Sequence, residues 1–375
     1  MNESSTKSSQ KPVVVYGASG YTGRLVCEYL RQYQIPFVAA GRNAERLEAV
    51  MDKVPGIETA EYEVAAVEHE VDALTELFNG AQVVCNVVGP FEYLGEAVVQ
   101  AALNAGCHYL DTTGEPAFIS MAKEKYGAAY EAAGLALAPS TAYMYAPLDI
   151  CAHVVLEQED IDSLEAVASA SAIPTYASTQ SIFALFKTDA KYLENDQLVS
   201  WGAPKGFETI VPGHALTQFA HPWGGGSLPL WFHGHDRVRN CRQLTSFTNR
   251  PMFEAVVGLH QHYVENIAPL PQEEQVKQLN ELAAGMQPGE PPRENMLIHR
   301  TIDTVTGTGT AGSRTAVLRS GPAYLQTGVY QAATAARLLK CGTNKAGFAS
   351  PSEVAGYEYL LGQLKNFLPT EVEVS

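Results

Sequence analysis

Three glycines spaced three apart, Gly17, Gly20 and Gly23, are the residues best suited to hold a charged ligand. They follow four β-branched or aromatic residues, 13–16, and precede a run in which Leu25, Val26, Tyr29, Leu30 and Tyr33 recur at helical spacing. Strand, glycine turn and helix in that order make a phosphate cradle. Gly17 permits the tight turn, Gly20 lets backbone approach a pyrophosphate, and Gly23 lets the helix pack close to the strand. The backbone around Ser19, Tyr21 and Thr22, with the helix dipole behind it, then faces an anion. The commoner G-x-G-x-x-G spacing also occurs, at 307–312, but a β-prone run follows it, so that stretch reads as a hairpin turn.

The end of the next strand, 36–40, decides which dinucleotide fits. It carries Gly41, Arg42 and Asn43 and no carboxylate to accept from a ribose 2'-hydroxyl. A guanidinium there suits the 2'-phosphate of NADP, although an arginine at a sheet edge is also simply well solvated. Asn43 serves the same site or caps the helix at 44–54.

These residues need elements to position them. Strand and helix signals alternate to about residue 150, and the clearest later strand, 81–88, ends at Gly89-Pro90-Phe91. Open α/β sheets bind ligands off the carboxyl ends of their strands, so Val88, Gly89 and Pro90 are expected beside the glycine turn. A further strand, 107–111, leads into the loop 112–115, and Pro116 suits a helix start. Glu115 there either orients ribose or substrate, or caps the helix beginning at Pro116. Tyr143 and Tyr145 follow another strand end and are candidate proton donors for a hydride transfer, or aromatic packing at a domain junction. No lysine has a tyrosine four residues before it, which removes the tyrosine-lysine dyad of short-chain dehydrogenases.

The segments Gly-Ala-Ser-Gly-Tyr-Thr-Gly at 17–23, Ala-Gly-Arg at 40–42, Gly-Pro-Phe at 89–91 with Gly95, and Tyr-Leu-Asp-Thr-Thr-Gly-Glu at 109–115 resemble the saccharopine dehydrogenase-like oxidoreductases, nearest the trans-acting enoyl reductase branch. The likeness resumes at Gly321-Pro322-Ala323-Tyr324 and at 347–356. It implies an α/β fold: a Rossmann-type doubly wound parallel sheet at 11–150 binding NADP, an inserted α+β substrate or dimerisation domain at 151–320, and helices at 321–368 returning to the first domain. The branch usually carries a Cys-Gly-Phe-Asp-Ser-Ile-Pro-Ser-Asp type segment where this chain has residues 140–149, with only Pro147 and Asp149 corresponding. Enoyl reduction therefore does not carry over with the fold.

Within the insertion, 167–173, 227–233, 238–247, 297–306 and 314–319 read as strands, 178–193 and 251–267 as helices, 271–280 as a surface helix, and 287–294 as an exposed loop. All three tryptophans, Trp201, Trp223 and Trp231, fall there beside Gly224-Gly225-Gly226. Trp223 and Trp231 suit an aromatic wall over a bulky apolar substrate, or a domain or homodimer interface. His214, His221, His233 and His235 match no familiar zinc spacing and read as polar or packed histidines, so no metal is expected. Arg237, Arg239, Arg242 and Arg250 could answer substrate carboxylates, as a saccharopine-type amino-acid dehydrogenase would need.

At 375 residues with a net charge of −16 and no basic block, the chain is poorly suited to nucleic acid or an anionic membrane surface. No apolar run approaches the roughly 18–20 residues of a spanning helix, and 1–10 is a polar, serine-rich stretch, so membrane insertion is not expected and a cytoplasmic location is. Six scattered cysteines without a C-x-x-C pair read as free, mostly buried thiols. The expected activity is NADPH-dependent reduction of an enoyl, imine or carbonyl group on a fairly apolar small molecule. A dinucleotide-binding regulatory protein without turnover is the alternative.

Overall fold

The computed structural model of the chain describes residues 11–222, 226–286 and 289–375. The polar stretch 1–10, Trp223 with Gly224 and Gly225, and the first two residues of 287–294 lie outside the described residues.

The first part alternates strand and helix: β1 (Val13–Tyr16), α1 (Tyr21–Gln32), β2 (Phe37–Gly41), α2 (Ala44–Met51), β3 (Tyr62–Ala66), α3 (Val71–Phe78), β4 (Val83–Asn86), α4 (Phe91–Asn104), β5 (His108–Asp111), α5 (Pro116–Ala132), β6 (Ala136–Ala138) and α6 (Tyr145–Val155). The strands β1, β2 and β4 are buried along their whole length, as a central strand covered by helices on both faces must be. The second part runs β7 (Ile161–Ala170), α7 (Tyr176–Ala184), β8 (Lys191–Glu194), β9 (Gln197–Ser200), β10 (Phe207–Thr209), β11 (Gln218–His221), α8 (Ser227–Phe232), β12 (Asn240–Phe247), α9 (Arg250–His262), α10 (Gln272–Met286), β13 (Thr301–Gly309) and β14 (Gly312–Ser320). After it come α11 (Ala323–Cys341), β15 (Gly347–Phe348), α12 (Pro351–Ala355), α13 (Tyr357–Phe367) and β16 (Glu371–Val374).

The first sheet has the order β15-β6-β5-β4-β1-β2-β3, and every pairing in it is parallel. Strand order reverses between β1 and β4, so the crevice off their carboxyl ends is the ligand position of a Rossmann-type doubly wound sheet. The second sheet is mixed, in the order β10-β11-β12-β7-β13-β14-β16, with β8 and β9 as a side hairpin on β12. The residues 307–312 form the β13–β14 turn, with Gly309 opposite Gly312, and not a second phosphate cradle.

Other expectations are corrected. Residues 227–233 form no strand: Ser227–Phe232 is a helix buried on every side, and periodicity cannot separate a short all-apolar helix from a strand. The helix expected at 178–193 ends by Lys187, and Lys191–Glu194 is strand. The residues 297–300 precede the strand rather than begin it, with Ile298 N–H donating to Asn295 O at 3.1 Å. The expected exposed loop at 287–294 is docked at its end. Arg293 forks onto Glu28 of α1 at 2.7 and 2.9 Å, and Glu294 is buried.

The two sheets share one core. Side chains of α1, α6 and α11 pack in a single cluster with Leu164, Val305 and Leu318 of the second sheet, and β15 and β16 return the last elements to one sheet each. Asp149 of α6 is central to this junction. Its Oδ2 accepts from Ser352 N–H at 2.8 Å and its Oδ1 lies 3.3 Å from His153 Nδ1. Burial works against a charge on His153, but Asp149 outweighs it and holds the imidazolium up to a pKa of about 9. A pKa raised on folding stabilises fully below the unfolded value of about 6.5 and is lost as pH rises through the folded value. The unfolding midpoint of the wild type should therefore fall between pH 6.5 and 9 relative to that of His153→Gln, and parallel curves would refute the pairing.

Candidate active site at the sheet crevice

The glycine turn is built by contact as well as by conformation. Gly17 has φ +97°, and a Cβ on it would stand 2.8 Å from Val88 Cγ2. A Cβ on Gly23 would stand 2.3 Å from Gly17 O, so no larger residue fits without moving α1 off the strand. The N–H groups of Gly17 and Ala18 both donate to Ala40 O of β2, at 2.8 and 3.1 Å. Helix α1 starts at Gly20 without a side-chain cap and without an acidic residue in its first turn. That leaves its amide end suited to a pyrophosphate.

The other expected cofactor residues divide. Arg42 is exposed at the end of β2, has no ion pair among the described residues, and lies close enough to influence Tyr16 and His69 electrostatically. Ser19 and Thr22 are half-buried in the turn. Asn43 Oδ1 is occupied as the cap of α2, accepting from Arg46 N–H at 2.8 Å. Tyr21 is turned away from the crevice. Its hydroxyl donates to Pro292 O at 3.2 Å and accepts from Glu294 N–H at 3.0 Å, leaving only its backbone for a cofactor. Val88 is held by Asn86 Oδ1, which accepts its N–H at 3.0 Å, and Gly89 and Pro90 continue along the crevice into α4.

Beyond Gly89 the crevice opens into a cavity of about 1030 Å³, its mouth included. Helix α1 supplies Thr22, the segments after β4 and β5 supply Val87, Thr112, Gly114 and Glu115, α7 forms a roof, and Tyr324 and Thr327 of α11 close one side. Among the described residues no lysine, arginine or histidine lines it. The roof is pinned to α11: Tyr324 Oη donates to Ser178 Oγ at 2.9 Å and accepts from Thr175 N–H at 2.9 Å. Glu294 in turn accepts from the N–H groups of Tyr324 and Leu325 at the start of α11, at 2.8 and 3.2 Å, and burial pushes its carboxyl up to about 7.

Glu115 lines the cavity but caps a different helix from the one expected. Its two oxygens accept from Phe91 N–H at 2.9 Å and Glu92 N–H at 2.7 Å, at the start of α4. Burial raises its pKa while those amides oppose the rise. Asp111, which the sequence motif contained but no site role singled out, fastens two loops at once: Oδ1 accepts from Thr113 N–H at 2.9 Å and Ser140 N–H at 2.8 Å. Burial pushes it up to about 7 despite these donors.

Both candidate tyrosines line the cavity. The Tyr145 hydroxyl lies against Gly114, where a Cβ would come within 1.8 Å of it, and burial followed by the Glu115 charge raises its pKa. Tyr143 donates from its hydroxyl to Asp303 Oδ1 at 3.0 Å, and its N–H donates to Thr327 Oγ1 at 3.0 Å. Trp231 does not reach the cavity; because α8 is a helix, its ring is buried in the core shared with α6. The four arginines considered for substrate carboxylates are also elsewhere. Arg237 donates to carbonyls at the end of α6, and Arg239, Arg242 and Arg250 stand beside surface carboxylates. Of the histidines, His235 Nδ1 accepts from Arg237 N–H and Val238 N–H, and His221 is buried beside His260.

Residues 13–138 match the saccharopine dehydrogenase NADP binding domain, and 147–372, more than half of the chain, match a family of unknown function, DUF5938. The chain belongs to the DUF5938 family, and its first part matches the saccharopine dehydrogenase NADP binding domain. A lipid droplet localized protein of Caenorhabditis elegans is 35% identical over 150 residues, which is 38% of this chain and 35% of that protein. The human saccharopine dehydrogenase-like oxidoreductase is 32% identical over 157 residues, 38% of this chain and 37% of the relative. A trans-acting enoyl reductase of Mycobacterium ulcerans is 36% identical over 108 residues, 28% and 26% of the two chains. The matched stretch thus spans little more than a third of these relatives' length at most. Apo saccharopine dehydrogenase (L-Glu forming) of Saccharomyces cerevisiae shares the fold along 97% of this chain and 100% of its own, with a TM-score of 0.58 and 14% identity. The first part is an NADP binding domain, and the glycine cradle, the acid-free first turn of α1 and the exposed Arg42 fit that cofactor.

Asp111→Ala removes the acceptor of two buried amides and should lower the unfolding free energy by roughly 2–4 kcal/mol in urea titrations. Asp111→Asn, which keeps an acceptor, should recover part of that loss.

Proposed function

We propose that the protein is an NADPH-dependent reductase that transfers a hydride to an enoyl, imine or carbonyl group of a neutral, fairly apolar small molecule. The observation that carries this reading is the cavity, which continues from the carboxyl ends of β1 and β4 into apolar walls such as Phe91, Met144, Ile182 and Phe247, with no cation among the described residues that line it. A dicarboxylate amino acid would need a cation there, and a saccharopine-type substrate finds no counter-charge among the described lining residues.

The roles follow from chemistry at each position. Gly17, Gly20 and the amides of α1 hold the pyrophosphate, and Arg42 answers the 2'-phosphate. When bound, the cofactor supplies the hydride. Glu115 holds the start of α4, so Gly89 keeps its place at the border of crevice and cavity. Tyr143 and Tyr145 are kept neutral by burial and carry the protons available to a reacting oxygen, nitrogen or carbon. The α7 roof, held by its Tyr324 latch, covers one side of the cavity and limits the access of water there. The free cysteines accord with a reducing, cytoplasmic compartment. Exposed Ile173, Leu297 and Ile298 are available for a homodimer contact, and sedimentation would measure one.

Calorimetric titration should give tighter binding of NADPH than of NADH, by about tenfold or more. Arg42→Asp should abolish or reverse that preference while leaving NADH affinity nearly unchanged; an unaltered ratio would remove Arg42 from the discrimination. Oxidation of NADPH across a panel of enones, imines and ketones tests turnover, and stoichiometric binding with no oxidation would favour the regulatory alternative.

A further inference from the structure

Asp303 of β13 is fully buried, and it is outside the motifs that point to the cofactor. Its side chain faces α6 and α11. The titratable groups around it are Tyr143, Cys151, Tyr330, Asp149 and Glu294, of which none carries a positive charge. Thr301 of its own strand and the backbone of Ser169 in β7 complete its polar surroundings. Oδ1 accepts from Tyr143, and Oδ2 makes no hydrogen bond that meets normal geometry. A carboxylate in such a place would bear a buried charge with no cation beside it and one oxygen short of a close donor, and burial outweighs the help of Tyr143, Thr301 and the Ser169 backbone, whereas the acid form bears no charge.

We propose that Asp303 carries a proton at neutral pH and passes it through Tyr143 to the group reduced in the cavity, so that the pair is the acid half of the reaction. This rests on the reductase reading above. Tyr143 lines the cavity while its hydroxyl meets Asp303, so it is the link between the two. As the acceptor carbon gains the hydride with its electron pair, the neighbouring atom takes the Tyr143 hydroxyl proton. For this transfer the acid hydrogen of Asp303 lies on Oδ1, the oxygen 3.0 Å from Tyr143 Oη, and the Tyr143 hydrogen turns from Asp303 toward the reacting atom; the Tyr143 oxygen then takes the Oδ1 proton, and Asp303 is left as carboxylate until solvent restores its proton. Hydride and proton together make one reduced bond, with NADPH as the reductant. Tyr143 is then the catalytic residue and Asp303 a positioning and proton-holding residue. Burial in these surroundings pushes Asp303 up to about 8, in accord with the geometry.

The first arm of the test needs no substrate. An acid whose pKa is raised on folding from about 3.8 to about 8 favours the folded state at low pH, and that advantage is lost as pH rises between those values. The unfolding midpoint of the wild type should fall from pH 4 to pH 8 relative to that of Asp303→Asn, and an infrared band of a protonated carboxyl at pH 7 should vanish in the variant. Parallel stability curves and an unchanged band would overturn the proton store.

The second arm uses NADPH with the panel of enones, imines and ketones. Tyr143→Phe should lower kcat about a hundredfold with little change in KM. Asp303→Asn should lower kcat and abolish the alkaline limb of its pH profile near 8. A retained limb in Asp303→Asn, or full kcat in Tyr143→Phe, would overturn the relay. NADPH binding without turnover in the wild type would overturn the reductase reading and with it the relay, and the stability curves would still decide whether Asp303 holds a proton.

Discussion

The anchoring of three chain segments at the end of β5 is the interaction on which the cavity depends. Asp111 accepts from the loops after β5 and β6, and Gln331 of α11 donates to Asp111 O at 2.7 Å and Thr141 O at 2.8 Å. Through these bonds the NADP binding sheet, the tyrosine-bearing loop and the helix that closes the cavity keep fixed relative positions. Neither sheet could hold Tyr143 and Tyr145 by itself, because the loop 139–144 lies between a strand of the first sheet and α6, which packs on β13 and β14 of the second.

The protein accepts an unusual burden of buried acids to build this site. Asp111, Glu115, Glu294 and Asp303 are all buried, and burial raises the pKa of each. Three of them are offset by backbone amides at loops or helix starts, where a carboxylate is well satisfied. Asp303 has one backbone group, Ser169, beside it and no helix start or loop turn of amides, and its Oδ2 has no close partner, which separates it from the structural acids. Buried acids at a domain junction are costly unless they fix geometry or hold protons, and the four divide between those uses.

Much of this was legible in the sequence, for reasons that can be traced. The glycine turn was readable because its requirements are local: Gly17 needs a positive φ and Gly23 a contact that admits no Cβ. The parallel sheet was readable because buried strands are apolar without alternation. Two kinds of feature were not. The Ser227–Phe232 helix is apolar on every side and has no period to reveal. The roles of Glu115, Asn43 and Tyr21 depend on partners remote in the chain or on competition between ligand and cap. Asp303 had a faint signal, an acid at an inward position of a strand between Thr301 and Val305, but its meaning required Tyr143, whose hydroxyl reaches it from 160 residues away.

Helix α1 packs along α11, with Gly328 so close to Tyr29 that a Cβ would stand 2.7 Å from its ring. The two helices are about 300 residues apart in the chain. At about 5–20 residues per second, α1 would leave the ribosome roughly 15–60 s before its partner exists. Through that interval the side of α1 that meets Gly328, with Leu25 and Tyr29 on it, lacks its later partner. The phosphate turn sits at the head of this same helix. A late partner for the helix that carries the phosphate turn makes assistance from a chaperone, or early capture of the dinucleotide itself, a physical asset during synthesis.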